Sequence, residues 1–408
     1  MNAPEPSRAA LASNAPRGFY ARLLNHVLGR LHWGSLRLTT PDGQVLEFRG
    51  KAPGAHGDMH ITHWKFARKV LGGAEIGFAE AYRDGLFETP DLTDLLAVLS
   101  NNYFALEEAL PLGRLIMGVH RRLHVLKKNT RRGSKRNIHA HYDLGNAFYQ
   151  EWLDPSMTYS SALFSEAKDN TCLTSAQTAK YDHILDRLNL QRGAHILEVG
   201  CGWGGFAEHA ARTRGIQVTG ITISQAQYDF AKARVTAAGL DGQVEIKLVD
   251  YRDVPGKFDG IVSIEMFEAV GEEFWPIYFK TLKERLKSGG QAVIQTITIA
   301  EDKFDLYRRT TDFIREFIFP GGLLPSPSRF VQEASKAGFV EAGRRDFGHD
   351  YAETLRRWRA AFDEKAGTVG AMGFDDRFRR LWRFYLTYCE VGFDLDFTDV
   401  SQFHLKAP

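Results

Sequence analysis

Cysteine is scarce in this chain: Cys172, Cys201 and Cys389 are the three among 408 residues. None sits at a paired spacing, which argues against a disulfide framework or a zinc knuckle and leaves no metal-ligand set to name. A reducing, cytoplasmic setting follows most simply. Long uncharged apolar runs are also missing, so no segment reads as spanning a bilayer and any membrane contact is expected to be peripheral. Residues 1–17 are rich in Ala, Pro, Ser and Asn and lack an apolar signal core. They read as a disordered tail, not an export signal. No internal repeat is evident. Acidic residues vanish from one window: none lies between Glu108 and Asp143, where Arg114, Arg121, Arg122, Lys127, Lys128, Arg131, Arg132, Lys135 and Arg136 all fall.

That window is read in two ways. Its first half, Leu115 to Leu126, carries apolar residues at helical spacing with basic ones between. Such a stretch fits adsorption to an anionic lipid surface, where each basic residue contributes roughly 1 kcal/mol at best. A solvated interdomain linker is the plainer alternative. Nucleic-acid binding is disfavoured, because few aromatic side chains interrupt the run. Elsewhere, 44% apolar and 25% charged residues with a formal net charge of +2 are ordinary for a globular chain of two or three domains.

The expected organisation is an N-terminal, lipid- or membrane-associated α+β domain over 18–125, a basic linker over 126–138, and a larger α/β domain over 139–408. In the first domain Leu36 to Phe48 alternates apolar and polar residues around Pro41-Asp-Gly43, which predicts a hairpin. Helices are expected over Gly18–Leu31, Trp64–Leu71, Gly77–Asp84 and Leu92–Leu99, the last capped after Thr89. No catalytic constellation falls in this unit. In the second, strands are expected at His195–Val199, Gln217–Ile221, Val244–Val249, Gly260–Ile264 and Gln291–Thr296, with helices between. That alternation predicts a doubly wound, mostly parallel sheet. A helix is expected over Glu273–Leu286, and Asp305–Ile318 and Leu355–Cys389 read as largely helical.

The most informative stretch is Ala194-His-Ile-Leu-Glu-Val-Gly-Cys-Gly-Trp-Gly-Gly-Phe206. An apolar strand runs into glycines at every second position, and a helical pattern opens after them. Such glycines let the backbone turn sharply and approach a ligand closely. The pattern is Gly-x-Gly-x-Gly behind an acid, Glu198, and not the longer dinucleotide fingerprint. It is the form associated with S-adenosylmethionine, which has no pyrophosphate to seat. Ligands in open α/β sheets bind beyond the carboxyl ends of the strands. Those ends carry Thr222, Ser224 and Gln227, then Asp250-Tyr-Arg252, then Glu265-Met-Phe-Glu268, then Gln295-Thr-Ile-Thr298. No carboxylate follows the second strand. Asp250 is placed to accept from an adenine amino group and Tyr251 to cover the ring. Singly, loop capping explains each residue; together they argue for a site.

The chain resembles the cyclopropane-fatty-acyl-phospholipid synthases, S-adenosylmethionine enzymes related to mycolic acid cyclopropane synthases. The matching segments are His141-Tyr-Asp-Leu-Gly-Asn146, Leu153 to Phe164, Leu197 to Gly204, Gly220-Ile-Thr-Ile-Ser224, Met266-Phe-Glu268, Phe317 to Pro325 and Phe347-Gly-His-Asp-Tyr351. The resemblance implies a class I methyltransferase sheet with helical additions. It places Tyr159, Ser160, Gly200, Gly202 and Trp203 at the methionine end of the cofactor, Thr222, Ile223 and Gln227 at the ribose, and Tyr251 at the adenine. Arg252 stands where mycobacterial members commonly carry an acid.

The implied reaction moves a methyl group to the cis double bond of an acyl chain in a membrane phospholipid, after which a base removes a proton so that a ring closes. In the family a bound bicarbonate serves as that base. It is held by a cysteine-bearing loop, a Glu, a His, a backbone amide at an Ile, and a Tyr. Glu268, Ile297 and Tyr351 occupy those positions here, but Ser161 replaces the cysteine and Gln295 the histidine. Two readings stay open. Bicarbonate binds through neutral hydrogen bonds and the product is a cyclopropane; or the base chemistry differs and the product is a methyl-branched, methylene or furan fatty acid. A non-catalytic cofactor- or lipid-binding protein is the alternative from another class. The partners implied are unsaturated phospholipid acyl chains and, through Arg121 to Arg136, the anionic inner membrane surface; a homodimer is left open. Phe313, Phe317, Ile318, Phe319, Leu323 and Leu324 are candidates to line an acyl tunnel.

Overall fold

The computed structural model describes residues 18–109 and 144–408. The expected tail, the basic stretch from Arg114 to Arg136 and the segment His141 to Asp143 lie outside the described residues. Contacts divide the chain into two units, Met1–Gly113 and Arg114–Pro408.

In the first unit the hairpin forms where the alternation placed it. Strands β1 (Trp33–Thr39) and β2 (Val45–Arg49) pair antiparallel, with Leu36 opposite Phe48 and Leu38 opposite Leu46. Gly43 takes φ 79° in the turn, a conformation that suits glycine. Strand β3 (Ala52–Ile61) lies parallel to β1 on its other side, and the short β4 (Phe87–Glu88) closes the order β2-β1-β3-β4. Among the described residues four helices accompany the sheet: α1 (Phe19–Leu28), α2 (Lys65–Arg83), α3 (Leu92–Asn101) and α4 (Tyr103–Ala109). The two helices expected between Trp64 and Asp84 are the halves of α2, broken at Ala74 (φ 45°, ψ −122°). The cap of α3 is Asp91, whose carboxylate accepts from the Asp94 N–H at 3.0 Å. Thr89 instead donates to the Asp91 carbonyl.

The second unit carries a seven-stranded sheet. Its parallel strands are β5 (His195–Val199), β6 (Gln217–Thr222), β7 (Val244–Leu248), β8 (Phe258–Ile264) and β9 (Leu286–Ile299). Two further strands, β10 (Val340–Asp346) and β11 (Thr398–Lys406), add antiparallel, giving β10-β11-β9-β8-β5-β6-β7. The chain therefore builds outward from β5 in both directions, and the switch in direction opens a crevice at the carboxyl end of β5. The helices around it are α5 (Asn146–Gln150), α6 (Leu173–Leu188), α7 (Gly205–Arg214), α8 (Gln225–Ala237), α9 (Trp275–Arg285), α10 (Phe304–Tyr307), α11 (Pro327–Lys336), α12 (Gly348–Glu364), α13 (Ala366–Ala371) and α14 (Asp376–Asp394).

The two stretches read as largely helical are so, with breaks. Asp305–Ile318 holds α10 and, after a break, a π-helical turn at Ile314–Ile318. Leu355–Cys389 runs through α12, α13 and α14. Trp275, Tyr278 and Phe279 of α9 are fully buried on the sheet beside Phe267 and Phe330. Burial of side chains this size contributes up to about 3 kcal/mol each. That packing fixes β8 and the loop after it, which carries the acidic residues described next. Among the described residues no helix is long and apolar enough to cross a membrane.

Candidate active site

After Val199 the backbone turns through Gly200 (φ 83°), Gly202 (φ 50°) and Gly204 (φ 82°) before α7 begins. The Gly200 and Cys201 N–H groups both donate to the Ile221 carbonyl, at 3.0 and 2.9 Å, tying the turn to β6. A Cβ on Gly200 would lie 2.9 Å from the Met266 side chain, so that glycine is required by packing. A Cβ on Gly202 would meet nothing within 4 Å. Gly202 therefore leaves room for something other than protein.

It opens on a cavity of about 340 Å³, within the range of ligand sites. All ten residues assigned to the cofactor from the sequence line it: Tyr159, Ser160, Gly200, Gly202, Trp203, Thr222, Ile223, Gln227, Asp250 and Tyr251. The Trp203 indole donates to Asn146 Oδ1 at 2.8 Å, and Asn146 in turn donates to the Ala226 carbonyl, which fixes the ring at the rim. Thr222 donates to Gln227 Oε1 at 2.8 Å, so a ligand on this side would meet the Gln227 amide as a donor. Asp250 is engaged on both oxygens by Arg252, at 2.8 and 2.5 Å. The substitution at position 252 thus ties down the carboxylate assigned to the adenine. Tyr159 and Tyr385 share a hydrogen bond of 2.7 Å between their hydroxyls.

Glu198, which the sequence reading noted without giving it a role, also lines the cavity. It is 2% exposed and its Oε2 has no hydrogen-bond partner. Burial holds its carboxyl well above the usual range, with the Lys180 charge opposing. An orphaned buried carboxyl beside a glycine turn fits a ligand that brings positive charge, as the ammonium and sulfonium of S-adenosylmethionine do. Replacing Gly202 with Val is expected to weaken binding of that cofactor about 10- to 100-fold in a titration, by filling its space. Thermal stability should change less than in Gly200→Val, where the added side chain meets Met266.

Two carboxyls on the loop after β8, Glu265 and Glu268, also line the cavity. Glu268 Oε1 accepts from the Ile297 N–H at 2.5 Å. Its Oε2 has no partner, since the Thr296 hydroxyl turns to the Ile297 carbonyl. Burial, then the charge of Glu265, push Glu268 up to about 8. Glu265 was missed as a site residue. Its backbone sits at φ 51°, uncommon outside glycine. Its Oε1 accepts from the Ser161 N–H at 2.8 Å and from Gln295 Nε2 at 2.7 Å, and its Oε2 from the Tyr351 hydroxyl at 2.7 Å.

The five expected catalytic residues thus divide. Glu268, Ile297 and Tyr351 line the cavity, whereas Ser161 and Gln295 are fully buried behind Glu265. The Ser161 hydroxyl turns to the Ala162 carbonyl, and Gln295 Oε1 accepts from Gln402. Three donors assigned to a bicarbonate are already engaged by Glu265, and the backbone amide assigned to it is engaged by Glu268. The residues present therefore do not fit that ion.

Lys180, on α6, was also missed. It is fully buried, donating to Ser160 Oγ at 2.6 Å and Gln177 Oε1 at 2.7 Å. Burial pushes its ammonium down to about 7 against the attraction of Glu265, Asp154 and Glu198. The remaining wall is largely apolar. Phe319, Leu323 and Leu324 line it with Ile299 and Leu355. Phe313, Phe317 and Ile318 do not; Phe313 packs on Phe384 of α14 at 4.8 Å. The Leu323 N–H donates to the Glu268 carbonyl, holding the Pro-Gly-Gly loop against the carboxyls.

The family model described as mycolic acid cyclopropane synthetase matches residues 129–403. The tuberculostearic acid methyltransferase UfaA1 of Mycobacterium tuberculosis is 38% identical over 83% of this chain and 80% of its own length. The cyclopropane-fatty-acyl-phospholipid synthase of Escherichia coli K12 is 35% identical over 85% and 86%. The crystal structure of the mycolic acid cyclopropane synthase CmaA1 complexed with SAH and CTAB superposes with a TM-score of 0.62 at 32% identity, covering 67% of this chain and 98% of that one. With these likenesses and a cavity that fits the cofactor, the chain belongs to the mycolic acid cyclopropane synthetase family and is an S-adenosylmethionine-dependent methyltransferase.

Proposed function

We propose that this enzyme transfers a one-carbon unit to the cis double bond of an unsaturated acyl chain in a membrane phospholipid, closing a cyclopropane ring. The observation that carries the reading is that one cavity is lined by the glycine turn, the carboxyls Glu265 and Glu268, the Tyr351 ring and apolar side chains. The cofactor supplies an electrophilic methyl group. An alkene is a weak nucleophile, so the protein's part is to hold it in line and away from water. Phe319, Leu323 and Leu324 offer the apolar contact, and the Tyr351 ring with Glu268 offers quadrupole and charge to a transient positive carbon. Relatives named as a cyclopropane-fatty-acyl-phospholipid synthase and a probable fatty acid methyltransferase support the substrate class. The basic stretch from Arg121 to Arg136 would dock the enzyme on an anionic membrane surface.

A second reading, a methylene- or methyl-branched product, is favoured by Ser161 and Gln295 in place of the family's Cys and His, and by the name of the relative UfaA1. Purified enzyme with S-adenosylmethionine and dioleoyl phosphatidylglycerol vesicles should add the mass of one CH₂ to each modified chain, and fragmentation should separate ring from branch. Unchanged lipid with cofactor demonstrably bound would contradict both readings.

A further inference from the structure

The donors that would hold a bicarbonate hold a side chain instead. The Ser161 N–H, the Gln295 amide and the Tyr351 hydroxyl converge on the two oxygens of Glu265 within 2.7–2.8 Å. The carboxylate reaches that seat from a backbone at φ 51°, a conformation side chains other than glycine rarely adopt. The amide orientation is fixed from behind. Gln402 Nε2 donates to Gln295 Oε1 at 2.9 Å, and Gln402 Oε1 pairs with His183 Nδ1 at 2.5 Å. Gln295 therefore presents its NH₂ to Glu265. A residue is thus pinned, at the cost of an unfavourable backbone, with a carboxylate at the edge of the cavity beside Glu268.

We propose that Glu265 is this enzyme's own base, taking the place of a bound bicarbonate. The inference rests on the acyl-chain reading above. The π pair of the alkene forms the new C–C bond to the methyl carbon, and the C–S pair leaves on sulfur, giving S-adenosylhomocysteine. The other alkene carbon is left positive. A Glu265 oxygen takes a proton from the new methyl group, and the released C–H pair closes the ring onto that carbon. Glu265, now neutral, returns its proton to solvent after the product leaves. Burial raises the Glu265 carboxyl above its ordinary value against Lys180 and the three donors, and burial with the charge of Glu265 pushes Glu268 further, to about 8. That division suits one carboxyl as base and its neighbour as a neutral companion in the resting enzyme.

The test compares wild type, Glu265→Gln and Glu265→Gly in buffer stripped of carbon dioxide and in buffer with added bicarbonate, using dioleoyl phosphatidylglycerol vesicles. Wild-type turnover should be the same in both buffers. Glu265→Gln should lose about 10²–10⁴-fold in either, the range for a lost general base, with cofactor affinity retained. Glu265→Gly suits the left-handed backbone and empties the seat; added bicarbonate should restore part of its activity. A readout independent of turnover is the ¹³C signal of labelled bicarbonate, which should broaden with Glu265→Gly and not with wild type. Wild type that needs bicarbonate or broadens its signal, or Glu265→Gln with normal turnover, would overturn the proposal. Wild type that leaves the lipid unchanged in both buffers would instead sink the acyl-chain reading.

Discussion

Glu268→Gln should lower kcat by about 10²–10³-fold while making the free enzyme more stable at alkaline pH. The loss is the size seen when one preorganised electrostatic contact to developing charge is removed. Glu268 is held at about 8 in the resting cavity, but a positive carbon forming next to it favours the ionised carboxylate, which Gln cannot become. Cofactor affinity should stay close to wild type, because the residues proposed to hold the cofactor lie largely on the turns after β5 and β6. The stability gain follows from the sign of the shift. A carboxyl raised in the folded state binds its proton more tightly there than in the unfolded chain. Its burial is harmless below the unfolded value near 4.5 and costs stability progressively as pH rises through about 8. Gln keeps an acceptor for the Ile297 N–H and has no proton to lose. The gap in urea stability should therefore open between about pH 5 and pH 8, reaching at most a few kcal/mol. A variant with full turnover would remove Glu268 from the chemistry, and a gap independent of pH would contradict its titration.

Lys180→Met should be the most destabilising single change in the site, by about 3–5 kcal/mol near pH 6, where the ammonium held at about 7 is still charged, the usual cost of leaving a buried charge without its counterion. Lys180 on α6 is the cation whose charge acts on Glu265 and Glu198. Without it their ionised forms lose a compensating charge, so the loss should shrink towards pH 4, below the ordinary carboxyl value that burial raises in both. The Ser160 hydroxyl also loses its 2.6 Å partner, and cofactor binding should weaken with it. Denaturant unfolding at the two pH values checks this. An equal loss at both would mean that Lys180 matters only through the packing of its aliphatic stem.

The parallel half of the sheet was legible because β5, β6 and β8 are short apolar runs bounded by glycine and polar residues, with helices between. Strand β3 was not, because Pro53, Gly54 and Gly57 break its pattern. Gly54 is there for a packing reason: a Cβ would fall 2.3 Å from the Trp33 ring. Strand β10 lies at an edge with charged, exposed side chains, and β11 buries Ser401 and Gln402 through cross-strand hydrogen bonds, so neither shows alternation. The cavity lining could be read because most of it follows strand ends in order. Glu265 sat in plain view three residues before Glu268, but its role depends on Ser161, Gln295 and Tyr351, which are 104, 30 and 86 positions away. Only folding brings those donors to it. Lys180 gave no local signal either, since a lysine in an amphipathic helix ordinarily reads as solvated.

On this mechanism a carboxylate of the chain removes a proton from the methyl group it has just helped to place on an acyl chain. S-adenosylmethionine with a fully deuterated methyl group, given to purified enzyme and dioleoyl phosphatidylglycerol vesicles, tests it by mass spectrometry of the released fatty acids. The product should gain one carbon and two deuterons, with the third deuteron lost to water. A product that keeps all three deuterons would place proton removal elsewhere and contradict the account.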